Sequence, residues 1–314
     1  MKIAFLFPGQ GSQSVGMGKR LADASPAAAA VWRKADEAVG FPLSRLCFEG
    51  PADELALTAN TQPAILTASV AAAAVLNERG ISPDLCAGHS LGEYSALVVS
   101  GALGFTDAVR LVRKRGEFMQ DAVPVGTGAM AALMGLDVEA AEKACAEATQ
   151  GEVVNVANIN SPGQIVIAGH KGAVERAVKA ATGLGGRKSV LLPVSAPFHS
   201  ALMKPAADRL AALLERVAVR APRVPVVSNV DAGLTTTADD VKPFLVRQVA
   251  SPVRWADCLT TLSREGATVW LEVGPGRVLS GLLKRTIDGA RGLAVEDPDS
   301  LDAAAAALGG GPGS

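Results

Sequence analysis

A chain of 314 residues, 49% hydrophobic and 19% charged, carries enough apolar material to close one large domain or two unequal ones. Its formal net charge of −1, with acidic and basic residues interleaved, excludes the positive field that nucleic acid or an anionic membrane surface would need. The four cysteines, Cys47, Cys86, Cys145 and Cys258, stand singly, so reduced and mostly buried thiols are expected, with neither a disulfide nor a zinc site.

The N-terminal run Met1-Lys2-Ile3-Ala4-Phe5-Leu6-Phe7 is too short for a signal sequence and meets Pro8-Gly9 at once. It reads as a first buried strand, and a cytoplasmic protein is expected. The loop Pro8-Gly9-Gln10-Gly11-Ser12-Gln13 fails the dinucleotide fingerprint, because Ser14 stands where the third glycine belongs. Such a loop at a strand end also lays backbone N–H groups beside a reacting carbonyl. Gln10 is therefore a candidate oxyanion-hole donor.

Residues 64–76 form a predicted buried helix with Pro63 in its first turn, and residues 85–87 a second strand. Strand, helix, strand implies a parallel sheet. The alanine-rich runs lack a span of about 20 apolar residues, so no membrane helix is expected.

Gly88-His89-Ser90-Leu91-Gly92 follows that strand and precedes a helical pattern over 93–99, the setting of a nucleophile elbow. The glycines permit a cramped turn that lifts the Ser90 hydroxyl above the sheet, with a helix N-terminus beneath it to favour negative charge. The competing reading is an ordinary turn serine, which the strand before and the helix after argue against. Leu91, next after the nucleophile, is the second candidate oxyanion donor.

The helix predicted over 107–122, capped by Thr106, places Ala108, Leu111, Val112, Phe118, Met119 and Ala122 on one face at 100° per residue, with Arg115 in its midst. Arg110, Arg113, Lys114 and Glu117 take the opposite arc. An inward guanidinium needs a partner. Either it pairs with an acidic side chain of the protein, or it captures a substrate carboxylate.

From residue 128 the predicted order is strand 129–134, helix 138–148, strand 153–159, strand 164–168, helix 173–181, strand 189–192. This β-α-β-β-α-β order is ferredoxin-like. Breaks at Pro124-Val125-Gly126 and over 193–197 mark residues 125–193 as a small inserted subdomain, with a cleft between it and the rest. A helix after Pro205, a strand over 224–227, a helix around Phe244 and a strand over 268–273 ahead of Gly274-Pro275-Gly276 complete the larger sheet. The glycine-rich tail 309–314 is expected to be flexible. The fold class is thus α/β: a large α/β-hydrolase-like domain with a parallel sheet, residues 1–124 and 194–314, plus an inserted ferredoxin-like subdomain, residues 125–193.

A serine nucleophile needs a base, and the chain has three histidines. His89 is fixed within the turn beside Ser90 and reads as structural; His170 reads as a solvated loop residue. His199, in Ser195-Ala196-Pro197-Phe198-His199-Ser200 where the chain re-enters the cleft, is the expected base and acid. A standard hydrolase triad is doubtful, because more than a hundred residues follow His199 without another histidine.

Phe7-Pro8-Gly9-Gln10-Gly11-Ser12-Gln13, Gly88-His89-Ser90-Leu91-Gly92-Glu93, Arg115-Gly116, Asn160-Ser161-Pro162, Pro197-Phe198-His199 and Gly274-Pro275-Gly276 together resemble, nearly end to end, the malonyl-CoA:acyl carrier protein transacylases of bacterial fatty acid synthesis. The resemblance implies Ser90 as nucleophile, His199 as base, Arg115 on the malonyl carboxylate, and the N–H groups of Gln10 and Leu91 as the oxyanion hole. It further implies that His199 is oriented by a main-chain carbonyl at Gln248, and that Phe198 marks the malonyl-selective branch. Malonyl-CoA and acyl carrier protein are then the partners, no cofactor is needed since the coenzyme A thioester is substrate, and a monomer is expected. Arg187 and Lys188 are candidates for steering the acidic carrier protein. The rival readings are a serine esterase or thioesterase on the same elbow, and a catalytically silent binding module.

Overall fold

The computed structural model describes residues 1–194 and 196–309. Ser195, within the predicted lead-out segment, and residues 310–314 of the tail predicted to be flexible lie outside the described residues.

The described residues form ten strands: β1 (Lys2–Phe7), β2 (Leu85–Gly88), β3 (Gly128–Met134), β4 (Val154–Ser161), β5 (Gln164–His170), β6 (Lys188–Leu191), β7 (Val226–Val227), β8 (Leu234–Thr235), β9 (Ala267–Val273) and β10 (Gly292–Val295). They build a six-stranded sheet of order β10-β9-β1-β2-β7-β8 and a four-stranded sheet of order β4-β5-β3-β6. The larger sheet is parallel except for β8, which pairs antiparallel with β7. The mixed α/β class expected from the sequence is what the chain adopts. Sequence reasoning passed over β8, β10, the four helices between Lys19 and Ala56, and the helices Trp255–Arg264, Val278–Thr286 and Pro298–Ala307.

β1 explains why its run is apolar throughout. Phe5 and Phe7 join the core on one face of the large sheet, Ala4 and Leu6 the core on the other, so both sides of the pleat are covered. In register, Phe7 lies opposite Gly88, which sets the loop after β1 and the turn after β2 side by side at the carboxyl ends of two central strands. Crevices for ligands open at such ends in parallel sheets.

The central helix runs Thr58–Glu78, so Pro63 lies inside it rather than in its first turn. Proline cannot donate to the carbonyl four residues back, Ala59. That carbonyl is served instead by Arg113 Nη1 at 3.5 Å, which also donates to Asn60 Oδ1 at 2.7 Å. By length and composition this helix could cross a bilayer, contrary to the expectation for the alanine-rich run, yet it is mostly buried inside the protein as a core element.

The arginine-bearing helix spans Phe105–Asp121. Gly104 takes its N-cap position without a side-chain bond, so Thr106 is a helical residue and not the cap. Gly116 lets this helix press on the central one: a Cβ there would come within 2.7 Å of the Thr58 carbonyl oxygen.

In the smaller sheet, Ala131 and Leu133 of β3 face the helices Val138–Ala148 and Lys171–Gly183, while Met130 and Ala132 face the main core. The period of two therefore turns one side of this sheet toward the large one. Val253 N–H donates to Ala157 O and Ile159 N–H to Val253 O, both at 2.9 Å, stitching β4 to the body that carries Ser90.

Gly116→Ala should destabilise the protein by about 1–3 kcal/mol through overpacking, although alanine is intrinsically the better helix former by about 1 kcal/mol. Urea denaturation checks this; a variant as stable as the parent would show slack between the two helices.

Candidate active site

The turn after β2 is built from close backbone contacts. A Cβ on Gly88 would lie 1.9 Å from the carbonyl of Gly92, and one on Gly92 would lie 2.0 Å from Phe7 O. Only hydrogen fits at either position. Between them Ser90 is held at φ 51°, the left-handed region that a serine seldom occupies. Its N–H donates to Asn229 Oδ1 at 2.7 Å and its carbonyl accepts from Gln248 Nε2 at 2.9 Å. The helix Gly92–Val99 begins immediately after, its N-terminus beneath the hydroxyl.

His199, also in the left-handed region at φ 59°, brings Nε2 to 2.7 Å from Ser90 Oγ. Its Nδ1 lies 2.9 Å from the main-chain oxygen of Gln248. A carbonyl only accepts, so Nδ1 carries the proton, Nε2 is the free base, and the serine hydroxyl donates to it. Asn155 of β4 fastens this turn, donating to His199 O at 3.3 Å and accepting from Ala201 N–H at 3.2 Å. Burial, and next the positive charge of Arg115, push the His199 ring down to about 3. The imidazole is neutral at physiological pH.

Arg115 is 1% exposed. Nη1 donates to Gln62 Oε1 at 2.9 Å; Nη2 donates to Gln248 Oε1 at 2.9 Å and to Ser90 Oγ at 3.2 Å. The guanidinium also lies over the Tyr94 ring at 5.4 Å, and its Nε–H is buried without a partner. Of the two readings left open above, the internal ion pair is not found among the described residues: the hydrogen-bond partners are neutral oxygens. Glu93 acts on it only through space, and burial draws the guanidinium below its ordinary value. The Glu93 carboxyl is itself pushed up to about 7 by burial, opposed by N–H bonds from Gln248 and Asn229.

Gln10, Leu91, Ser90, Arg115 and His199 line one cavity of about 130 Å³, whose apolar wall includes Met119, Met130, Leu192, Val194 and Phe198. Gln10 anchors its side chain on Thr58 Oγ1 at 3.2 Å. Among the described residues, the backbone N–H groups of Gln10 and Leu91 donate to no protein acceptor. A larger groove of about 440 Å³, along Arg110, Lys114 and Arg216, contains none of these groups.

The other histidines divide. His89 Nε2 lies 2.9 Å from Asn160 Oδ1 and its ring packs edge-on against Trp255, consistent with a structural part. His170 corrects the sequence reading: it ends β5, half-buried, and its Nδ1 accepts from Val153 N–H at 2.9 Å, so it is not a solvated loop residue. Arg187 and Lys188 are exposed at the start of β6, the end away from the cavity. The four cysteines are all free and buried, and burial raises their thiols. Sequence reasoning missed Gln62, Asn229 and the side chain of Gln248. The one available signal was Gln62 itself, a polar residue inside an otherwise apolar helix.

A family model described as the acyl transferase domain matches residues 4–301. The malonyl CoA-acyl carrier protein transacylase of Bacillus subtilis is 51% identical over 304 residues, 96% of each chain. The chain belongs to this transacylase family. Among solved structures, the acyl carrier protein S-malonyltransferase of Vibrio cholerae superposes with a TM-score of 0.95 at 50% identity, over 96% of this chain and 99% of that one. A malonyl-transacylase in complex with its type II PKS acyl-carrier protein superposes with a TM-score of 0.94 at 48% identity, over 97% and 99%. Such likeness carries the family fold across the whole described site.

The depressed His199 value makes a linkage prediction. The folded protein binds this proton more weakly than the unfolded chain, so the contribution to stability is complete above the ordinary histidine range and is lost as pH falls toward 3. In an NMR titration from about pH 8 to about pH 5 the His199 ring should not titrate; a midpoint near 6.5 would mean a hydrated imidazole.

Proposed function

We propose that the chain is a malonyl-CoA:acyl carrier protein S-malonyltransferase working through a malonyl-Ser90 intermediate. The reading rests above all on the convergence at Ser90 Oγ of a neutral imidazole at 2.7 Å and a buried guanidinium at 3.2 Å. A base and a cation at one hydroxyl suit an acyl group whose far end is an anion.

In the first half-reaction the substrate carboxylate docks on Arg115, drawing that guanidinium off the serine. His199 Nε2 accepts the Ser90 proton as Oγ adds to the thioester carbonyl. The oxyanion is met by the N–H groups of Gln10 and Leu91. Collapse breaks the C–S bond, and the departing sulfur takes the proton from Nε2 and leaves as coenzyme A. In the second half, the phosphopantetheine thiol of the carrier protein gives its proton to His199 and attacks the ester, and Ser90 leaves reprotonated. The steps need no cofactor.

Arg115 lowers the basicity of His199 while uncompensated. Burial is the larger cause of that weakness; a docked carboxylate offsets only the charge, so a malonyl group leaves the base less weakened than a neutral acyl group does. Selectivity then resides in the rate of acylation as well as in binding.

Ser90→Ala should abolish the malonyl-enzyme seen by mass spectrometry; undiminished malonylation would overturn the nucleophile assignment. Arg115→Ala should reduce malonyl transfer on the order of a hundred-fold, the loss of charge-assisted hydrogen bonds, while acetyl transfer falls less or rises. An unchanged malonyl-to-acetyl ratio, measured with both coenzyme A thioesters, would refute the carboxylate role.

A further inference from the structure

Resting on the reaction just proposed, we infer that Glu93 is a positioning residue for it, fixing through Gln248 and Asn229 the orientation of nucleophile, base and carboxylate clamp together. Glu93 is buried at the second position of the helix Gly92–Val99. Its Oε2 accepts from Gln248 Nε2 at 2.7 Å and from Asn229 N–H at 3.1 Å.

The consequence lies in polarity. The side-chain amide of Gln248 has a donor end and an acceptor end that differ little in shape, so sterics alone do not choose between its two orientations. A carboxylate oxygen accepts, and so selects the nitrogen. That choice leaves Gln248 Oε1 facing Arg115 Nη2 at 2.9 Å. Flipped, the amide would set N–H donors against a guanidinium, which offers donors only.

The same residue carries the carbonyl that holds His199 Nδ1 at 2.9 Å, and its Nε2 holds Ser90 O at 2.9 Å. Asn229, the other residue tied to Glu93, accepts Ser90 N–H at 2.7 Å and donates through Nδ2 to Gly88 O at 2.8 Å. One carboxylate oxygen thus reaches the serine from both sides of its peptide, the histidine through a carbonyl, and the arginine through an amide. It touches none of the reacting atoms.

Position and charge are separable by substitution. Glu93→Gln keeps an acceptor oxygen at the same reach; Glu93→Asp keeps the charge but withdraws it by a methylene; Glu93→Met keeps the reach without an acceptor. Two single-turnover rates are measured on each folded variant. One is malonylation by malonyl-CoA against acetylation by acetyl-CoA, and the other is phosphonylation of Ser90 by a fluorophosphonate. The second reads nucleophile and base without any malonyl group, so a parent protein that phosphonylates but does not malonylate would sink the proposed reaction and leave this inference to be decided by the phosphonate rates.

Glu93→Gln should stay within about three-fold of the parent in both rates. Glu93→Asp and Glu93→Met should lose about 10- to 100-fold in both, with the malonyl-to-acetyl ratio collapsing as Arg115 loses its acceptor. Either of the last two that folds decides the matter. The inference is overturned if they keep parental rates and ratio, the result expected of a merely structural carboxylate. It is equally overturned if Glu93→Gln falls as far as Glu93→Met, which would make charge, and not an acceptor at that reach, the determinant.

Discussion

A guanidinium sealed in the interior with no carboxylate in contact with it among the described residues is the constraint around which the rest of this site is arranged. Removing such a charge from water is costly unless its donors are met. Here the Nη1 and Nη2 donors are met by Gln62, Gln248 and the serine hydroxyl, with the Tyr94 ring beneath, while Nε–H finds no partner among the described residues. Neutral oxygens satisfy the Nη donors without cancelling the charge. The positive potential that remains depresses the nearby imidazole, and it is available to an anion that arrives from outside.

The scaffold supplies these groups from separated stretches of chain. The glycine-lined turn after β2 fixes the serine, the tight helix pair at Gly116 fixes the arginine, and the helix Ala238–Val249 ends on Gln248 and Val249. The smaller sheet contributes Asn155, which fastens the His199 turn, Asn160, which holds the His89 ring, and Asn158 and Met130, which line the cavity. The β4 link through Val253 holds that sheet against the larger one. Two non-glycine residues in left-handed backbone, Ser90 and His199, face each other across the gap. Local strain concentrated on the two reacting side chains is what a preorganised site would show.

What the sequence disclosed follows from how local each determinant is. The elbow was legible because its glycines stand at a short fixed spacing between strand and helix, although the contact that excludes a side chain at Gly92 comes from distant Phe7. Arg115 was legible because a helical wheel is a local object. His199 emerged by elimination among three histidines. The carbonyl of Gln248 has no residue signature, since every residue carries one, and it entered only through family resemblance. Gln62, Asn229 and the second use of Gln248 come from distant segments converging on one buried network, which no spacing rule records. Pro63 misled because its missing bond is made good by Arg113, and Thr106 because Gly104 opens the helix instead. His170 was misjudged because a β-strand end resembles a loop in sequence.

The burial of Cys47, Cys86, Cys145 and Cys258 has a chemical consequence for a protein proposed to handle acyl groups on sulfur. Thioesters exchange with accessible thiolates, and an exposed sulfur near the cleft would siphon the acyl group into a dead-end adduct. With every sulfhydryl protonated and out of reach, the carrier's own thiol meets no internal competitor for the cargo.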